Sequence, residues 1–129
     1  MDSQLPIRGV DYTTIFARRM RAMREFYGTT LGLPVHSELG SQWIEYRVGS
    51  TLLALTERGL LFDDPAPPVG ALSLQLAFRV SPSEVDRCAA VLIERGVTVA
   101  VDPADEPCGH RTVYFCDPDG NSLEIYAEP

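Results

Sequence analysis

The chain has 129 residues, of which 45% are hydrophobic and 22% charged, a composition typical of one folded domain rather than a disordered chain. Its 18 acidic and 11 basic residues give a formal net charge of −7, which argues against nucleic acid as a partner because phosphate binding needs clustered cations. No apolar run approaches the roughly 20 residues of a membrane span. The start lacks signal-peptide features, and 3 irregularly spaced cysteines do not form a disulfide framework, so we expect a reduced, cytoplasmic protein with no membrane partner.

The first half of the chain has the pattern of a strand, a helix and three further strands. Residues 9–17 are β-branched and aromatic, which is typical of a strand. Apolar residues then recur at helical spacing over residues 20–30, and Gly32 is placed to end that helix. Short strands are predicted at residues 34–38, 42–48 and 51–57. Gly49-Ser50 favours a two-residue hairpin turn between the last two.

The same order of elements returns in the second half. Residues 71–80 alternate in polarity as a strand does, and Ser81 followed by Pro82 predicts a helix that starts with a serine cap and a proline in its first turn. The buried stripe of this helix is predicted to consist of Val85, Cys88, Ala89, Leu92 and Ile93. Gly96 is placed to end it. Three more strands are predicted at residues 97–101, 111–116 and 122–127, with a turn between the last two.

This repetition predicts an α+β fold made of two βαβββ modules, residues 1–60 and 71–129, joined by a proline-rich linker at residues 61–70. Each module alone would leave one face of its sheet exposed. We therefore expect the modules to lie side by side in one compact domain, with their strands in one curved mixed sheet, a half-barrel around a cavity. The helices would pack outside, and polar alternate residues would line the cavity, as small-molecule sites prefer.

Two short motifs resemble the signatures of a known family. Phe26-Tyr27 followed by Leu31-Gly32-Leu33 is similar to the FY…LGL signature that ends the first helix of vicinal-oxygen-chelate proteins, the glyoxalase/bleomycin resistance protein/dioxygenase superfamily. Residues 117–121, DPDGN, followed by Leu123-Glu124-Ile125, resemble the signature of the last hairpin in that family. The glycines and aspartates of both motifs suit sharp turns. The motifs therefore indicate the fold and say little about the chemistry.

The resemblance also identifies the positions at which metal-dependent members carry their ligands. Those members place a histidine, glutamate or glutamine on the first and last strands of each module, and here the positions hold Tyr12, Ala54, Gln75 and Glu124. A phenol keeps its proton at pH 7, alanine has no donor atom and an amide binds metal weakly, whereas a tight site needs three or four donors. We expect no bound metal and no cofactor. Glu45 should face the same side as Ala54 across the hairpin, which leaves open a weak site formed by Glu45, Gln75 and Glu124.

The same register predicts the side chains that line the cavity. Beside Tyr12, Gln75 and Glu124, the predicted lining consists of Thr14, Phe16, Trp43, Glu45, Arg47, Ala54, Thr56, Arg79, Tyr114 and Tyr126. Aromatic walls with a few polar groups suit a flat, partly aromatic small molecule held by stacking and hydrogen bonds. The negative net charge favours cationic or neutral ligands.

Three functions remain open on this basis. Resemblance to bleomycin- and mitomycin-type resistance members implies a protein that sequesters a drug without altering it, and so confers antibiotic resistance. A metal-independent isomerase, cyclase or lyase would use Glu124 as general acid or base, with Tyr12 and Gln75 donating hydrogen bonds to a developing enolate oxygen. A metal-dependent lyase or dioxygenase would need Glu45, Gln75 and Glu124 as ligands. The resemblance further implies a homodimer, because relatives pair or exchange modules between chains.

Overall fold

Each half of the chain folds into a four-stranded sheet with one principal helix. The computed structural model describes residues 5–58, 68 and 74–128. The first module consists of β1 (Tyr12–Ala17), α1 (Met20–Glu25) with a π-helical turn (Phe26–Thr30), β2 (Val35–Leu39), β3 (Trp43–Val48) and β4 (Thr51–Glu57). The second consists of β5 (Gln75–Arg79), a 3-10 turn (Pro82–Glu84), α2 (Val85–Glu94), β6 (Val99–Asp105), β7 (Arg111–Cys116) and β8 (Ser122–Ala127).

The two sheets have the same strand order, β1-β4-β3-β2 and β5-β8-β7-β6. In each module the opening strand pairs in parallel with the closing strand, and the remaining neighbours are antiparallel. The predicted α+β fold of two βαβββ modules is confirmed. The strands are divided between two mixed sheets, because each opening strand is paired within its own module. The predicted linker, residues 61–70, and residues 71–73 of the predicted fifth strand lie outside the described residues except for Pro68.

Most predicted strand limits agree with the structure to within two residues, and three do not. β5 begins at Gln75, four residues after the predicted start, and residues 71–73 lie outside the described residues. β1 begins at Tyr12, three residues after the predicted start. β6 runs to Asp105 and pairs with β7 through register shifts between Val99 and Val101 and between Val101 and Ala104. Pro103 lies in the second shift, and proline has no N–H to give to a ladder, so it is tolerated on this edge strand where the register is broken. The longer strand was therefore hidden by the proline.

The first helix lies close to its sheet and ends in a wider turn. The N–H of Leu31 donates to the carbonyl of Phe26, five residues back, at 2.8 Å, which is the π-helical pattern. A side chain at Gly28 would meet the hydroxyl of Tyr46 at 3.3 Å, so the small residue permits this approach. Gly32 then adopts a φ of 72°, in the left-handed region, and ends the helix as predicted.

The second helix differs from its predicted pattern at two residues. Val85, Ala89 and Leu92 are buried, and Cys88 is half-buried, as the stripe requires. Ile93 is 58% exposed, so its predicted burial is wrong; it lies one residue, or about 100°, past the sheet-facing position of Leu92. The predicted serine cap is also wrong. The side chain of Ser81 makes no capping bond, because a 3-10 turn precedes the helix and the carbonyl of Ser81 receives the N–H of Glu84.

One face of each sheet is buried against the helices. Alternate residues of the central strands, among them Ile44, Leu55, Phe115 and Leu123, join helix residues of both modules in one continuous hydrophobic cluster. None of the helices in the described ranges is long and apolar enough to cross a bilayer. The opposite face of each sheet, here called its open face, is the one that carries the predicted site.

Candidate functional site

The register places all predicted first-module site residues on the open face of the first sheet. Three rows cross β1, β4 and β3 in that order, and each contains one residue from each strand. The rows are Tyr12–Leu52–Arg47, Thr14–Ala54–Glu45 and Phe16–Thr56–Trp43. The predicted pairing of Glu45 with Ala54 is thereby confirmed, and it follows from the two-residue turn in which Gly49 has a φ of 57°.

An aromatic pair crosses this face diagonally. Tyr12 belongs to the first row on β1, whereas Trp43 belongs to the third row on β3. Their ring centroids are nevertheless 6.3 Å apart, with the planes at 82° in an edge-to-face contact. The two side chains therefore reach toward each other across the middle row, which holds Ala54. Ala54 has no exposed surface although it lies on the open face, and its small size leaves room for the rings above it.

A carboxylate is fixed beside the aromatic pair. The indole Nε1 of Trp43 donates to Oε2 of Glu45 at 3.0 Å, in a partly buried position. The nearest basic residue along β3 is Arg47, and its Nη2 lies 3.1 Å from Nδ1 of His36 on β2. Arg47 is thus held toward the strand on the far side from β1. Ion pairs within the described ranges do not include Glu45.

The second sheet carries a corresponding group on its own open face. Gln75, Arg79, Tyr114, Glu124 and Tyr126 share this face through the pairings of β5, β8 and β7. The amide of Gln75 donates to Oε1 of Glu124 at a long 3.4 Å. Burial, the nearby charges of Glu124 and Glu106, and a hydrogen bond to Glu124 raise the pKa of the Tyr114 phenol, which keeps its proton available to Glu124.

Two of these residues are engaged at the end of the second sheet. Arg79 forms an ion pair of 2.8 Å with Glu128. The ring of Tyr126 lies 5.1 Å from that of His110, with the planes tilted by 31°. Arg79 and Tyr126 therefore have partners of their own, which leaves Gln75, Tyr114 and Glu124 as the connected polar group of this face.

The contacts join predicted site residues within each sheet. Tyr12, Trp43 and Glu45 form one group and Gln75, Tyr114 and Glu124 form the other. Over the described residues, no hydrogen bond joins the first group to the second. Thr14, Phe16 and Thr56 share the face of the first group through the sheet register.

The side chains at the expected metal positions do not fit a metal ion. Ala54 is buried and has no donor atom, and Tyr12 makes its ring contact with Trp43. Glu45, the nearest carboxylate, accepts the hydrogen bond of Trp43, while Glu124 and Gln75 bond to each other. Across the described ranges, no group of three or more histidine, cysteine, aspartate or glutamate side chains is placed to hold a metal.

A buried contact between the modules was missed by sequence reasoning. The hydroxyl of Tyr27 donates to Oδ2 of Asp117 at 2.7 Å, and burial followed by the charge of Asp117 raises the pKa of this phenol far above its usual value. Asp117 also accepts from the backbone of Asp119 and from both the backbone and the side chain of Asn121. Phe26 contacts Phe115, with ring centroids 6.4 Å apart. The two signature motifs therefore meet in space.

Asp119 extends the same contact to the start of the first helix. Its two carboxylate oxygens accept the N–H groups of Arg18 and Arg19 at 2.7 and 3.1 Å. These N–H groups belong to the two residues directly before α1, of which Arg19 is the N-cap, so the carboxylate lies near the positive end of the helix dipole. The sequence features that could have indicated this contact are Tyr27, a tyrosine within an apolar helical stripe, and the two aspartates, Asp117 and Asp119, in one turn.

Comparisons with known proteins agree with this architecture. The family model described as the Glyoxalase/Bleomycin resistance protein/Dioxygenase superfamily matches residues 9–125. A glyoxalase/bleomycin resistance protein/dioxygenase from Nocardioides is similar in structure, with a TM-score of 0.84 and 24% identity over 98% of this chain and 87% of that one. A glyoxalase/dioxygenase from Nostoc punctiforme has a TM-score of 0.79 and 28% identity over 100% and 99% of the two chains.

A lactoylglutathione lyase from Agrobacterium tumefaciens is a third similar structure, with a TM-score of 0.75 and 25% identity over 95% of this chain and 96% of that one. A comparison with curated proteins found no match. Each of these three likenesses thus covers at least 95% of the chain.

Proposed function

This chain belongs to the glyoxalase/bleomycin resistance protein/dioxygenase superfamily, and on that premise we propose that it binds a flat, partly aromatic small molecule on its open faces without a metal ion. Its role would be sequestration, of the kind that gives resistance to an antibiotic, with the ligand released unchanged. The family name covers both binding proteins and enzymes, so the proposal rests on the side chains of this site.

The aromatic pair over Ala54 carries this proposal. Tyr12 is 50% exposed and Trp43 is half-buried, so the pair offers ring surface to a ligand while Glu45 supplies a fixed polar group. Planar ligands stack on such rings and gain roughly 0.5–1.5 kcal/mol per aromatic contact beyond area burial. At the same place a metal-dependent relative would need donor atoms, and Ala54 offers none.

Trp43 is the single tryptophan of the chain, so its fluorescence reports on this site alone. We expect tricyclic aromatic compounds to change its emission in a saturable way. Equilibrium dialysis followed by mass spectrometry should return the bound compound unaltered. Recovery of a modified compound would contradict sequestration.

Ala54→Leu is a suitable variant for the same titration. The larger side chain would occupy the space beneath the rings of Tyr12 and Trp43, which separates them and should weaken binding at least about fivefold, or ~1 kcal/mol. Ile93→Leu, at an exposed position on α2, is the matched control and should bind as the parent does. Equal affinity in the parent and both variants would show that the aromatic pair is not part of the binding site.

A metal-independent isomerase, cyclase or lyase is the second candidate function. It is favoured by Glu124, which receives a hydrogen bond from the Gln75 amide and lies opposite Tyr114 in the strand pairing on the second open face. Such a carboxylate suits a general acid or base. Glu124→Gln separates the two candidates, since sequestration should change by less than about threefold whereas general-base catalysis should fall by about 100-fold or more.

We further propose that the chain forms a homodimer and works in the cytoplasm. Leu5, Ile7 and Val10 are 75%, 74% and 72% exposed, and β1 and β5 are edge strands of their sheets, so apolar surface and strand edges are available to a second copy. The cysteines in the described ranges are free thiols, which suits a reducing compartment. Sedimentation equilibrium tests the dimer, and a single species at the monomer mass would contradict it.

A further inference from the structure

We infer that Tyr12, Trp43 and Glu45 form a subsite for an organic cation, an ammonium or iminium group carried by the planar ligand. This inference rests on the proposed function, because it names the chemical class of ligand that the same site selects. It concerns the charge of the ligand, which the stacking proposal alone leaves open.

The geometry of the two rings is the first support. Their planes stand at 82° with centroids 6.3 Å apart, so they form two walls of a corner. The face of an aromatic ring carries negative potential, and a cation within about 6 Å of a ring centroid is attracted to it. Two rings at a right angle can contact one cationic group from two sides, which a parallel stack cannot do.

The charge of Glu45 is the second support. The hydrogen bond from Trp43 Nε1 holds one carboxylate oxygen at 3.0 Å and so fixes both the indole and the carboxylate. Tryptophan has only this one side-chain donor, so the bond also fixes which edge of the indole ring faces Glu45. None of the ion pairs among the described residues includes Glu45. A ligand cation would supply a partner of opposite charge.

The arginine that shares β3 with Trp43 and Glu45 is held toward β2. Arg47 shares the open face, but its guanidinium is bonded to His36 on β2, whereas Tyr12 projects from β1 on the opposite side. The formal charge of −7 over the whole chain adds a general attraction for cations. The rings, the carboxylate and the long-range field therefore favour the same ligand charge.

Equilibrium dialysis with two tricyclic compounds tests the inference. The cation is 10-methylacridinium, and its neutral counterpart is acridine at pH 8. We expect the parent protein to bind the cation at least about fivefold more tightly, because an exposed ion pair and a cation–π contact together contribute this much. Raising the sodium chloride concentration should lower the affinity for the cation and leave the affinity for acridine unchanged, since salt screens only the charged ligand.

Glu45→Gln is the decisive variant. The glutamine carbonyl still accepts the hydrogen bond of Trp43, so the substitution removes the charge and preserves the geometry. It should lower the affinity for 10-methylacridinium about fivefold and leave that for acridine within twofold. Glu94→Gln, on the exposed surface of α2, removes the same charge elsewhere and should leave both affinities unchanged.

Each outcome of this experiment decides a different point. If both compounds bind equally to the parent and to Glu45→Gln, the cation subsite is overturned while the stacking proposal stands. If Glu94→Gln lowers the affinity for 10-methylacridinium as much as Glu45→Gln does, the preference for the cation comes from the net charge of the protein. The cation subsite is then again overturned. If neither compound binds, the proposed function fails and the inference falls with it.

Discussion

Single residues explain why the family motifs are found in this chain. The phenol of Tyr27 and the carboxylate of Asp117 are 90 residues apart in sequence, and they join the end of the first helix to the last hairpin in a buried position. An unpaired buried polar group costs about 1–3 kcal/mol, so the Tyr27 hydroxyl needs Asp117, which accepts three further hydrogen bonds from its own turn. The two family motifs therefore contact each other in the folded chain through this hydrogen bond.

Tyr27→Phe should lower the free energy of unfolding by about 1–2 kcal/mol, because it removes the donor and leaves one oxygen of Asp117 with fewer partners. Urea unfolding measures the difference. Tyr126→Phe, whose ring is only half-buried on the second open face, is the control and should cost less than about 0.5 kcal/mol. Equal losses in the two variants would contradict the role given to the buried contact.

Because of the Tyr27 phenol, we expect the free energy of unfolding to depend on pH in the alkaline range. Its pKa in the folded protein is raised above the unfolded value of about 10. The contribution is therefore fully present below pH 10 and decreases above it, as the unfolded state loses a proton that the folded state keeps. Urea unfolding between pH 9 and 11 should show this decline, and Tyr27→Phe should make it shallower. An unchanged slope in the variant would contradict the assignment.

The elements that could be predicted from the sequence are those specified by local signals. The limits of β7 and β8 agree with the prediction because a turn motif separates two alternating runs, and the turn at Gly49 fixed which residues share the first open face. The full extent of β6 was not predictable, since Pro103 looks like a strand end and becomes tolerable only beside a register shift. Contacts such as that of Asp119 with α1 depend on tertiary packing, which local periodicity does not encode.

The first helix depends on a cap from the other module. Asp119→Ala removes the acceptor of the N–H groups of Arg18 and Arg19, and should cost about 1 kcal/mol. Amide hydrogen exchange should then become faster at Arg18 and Arg19 and remain unchanged in α2. A uniform increase over both helices, or no increase at all, would show that the carboxylate does not act as a local cap.

The site was predictable in part for a related reason. Strand register placed Tyr12, Trp43 and Glu45 on one face, as the sequence analysis expected. The diagonal approach of the two rings over Ala54 was not accessible, because it depends on how long side chains lean across neighbouring strands. The bond from Trp43 to Glu45 was hidden for the same reason.

At the scale of the whole molecule, two modules of the same architecture are joined in one chain. The two modules repeat the same strand order, and their signature motifs lock them together. These features depend on packing, so they persist whatever the open faces carry. The function proposed for this chain therefore depends on the aromatic pair and its carboxylate.

Binding of a tricyclic aromatic compound to chelator-treated protein tests the central claim most directly. Equilibrium dialysis would compare this protein with samples supplemented with zinc, iron(II) or manganese. Because the rings and Glu45 supply the recognition, the dissociation constants should agree within twofold in all samples. Binding that disappears after chelation and returns with one metal, with a gain of tenfold or more, would contradict the account.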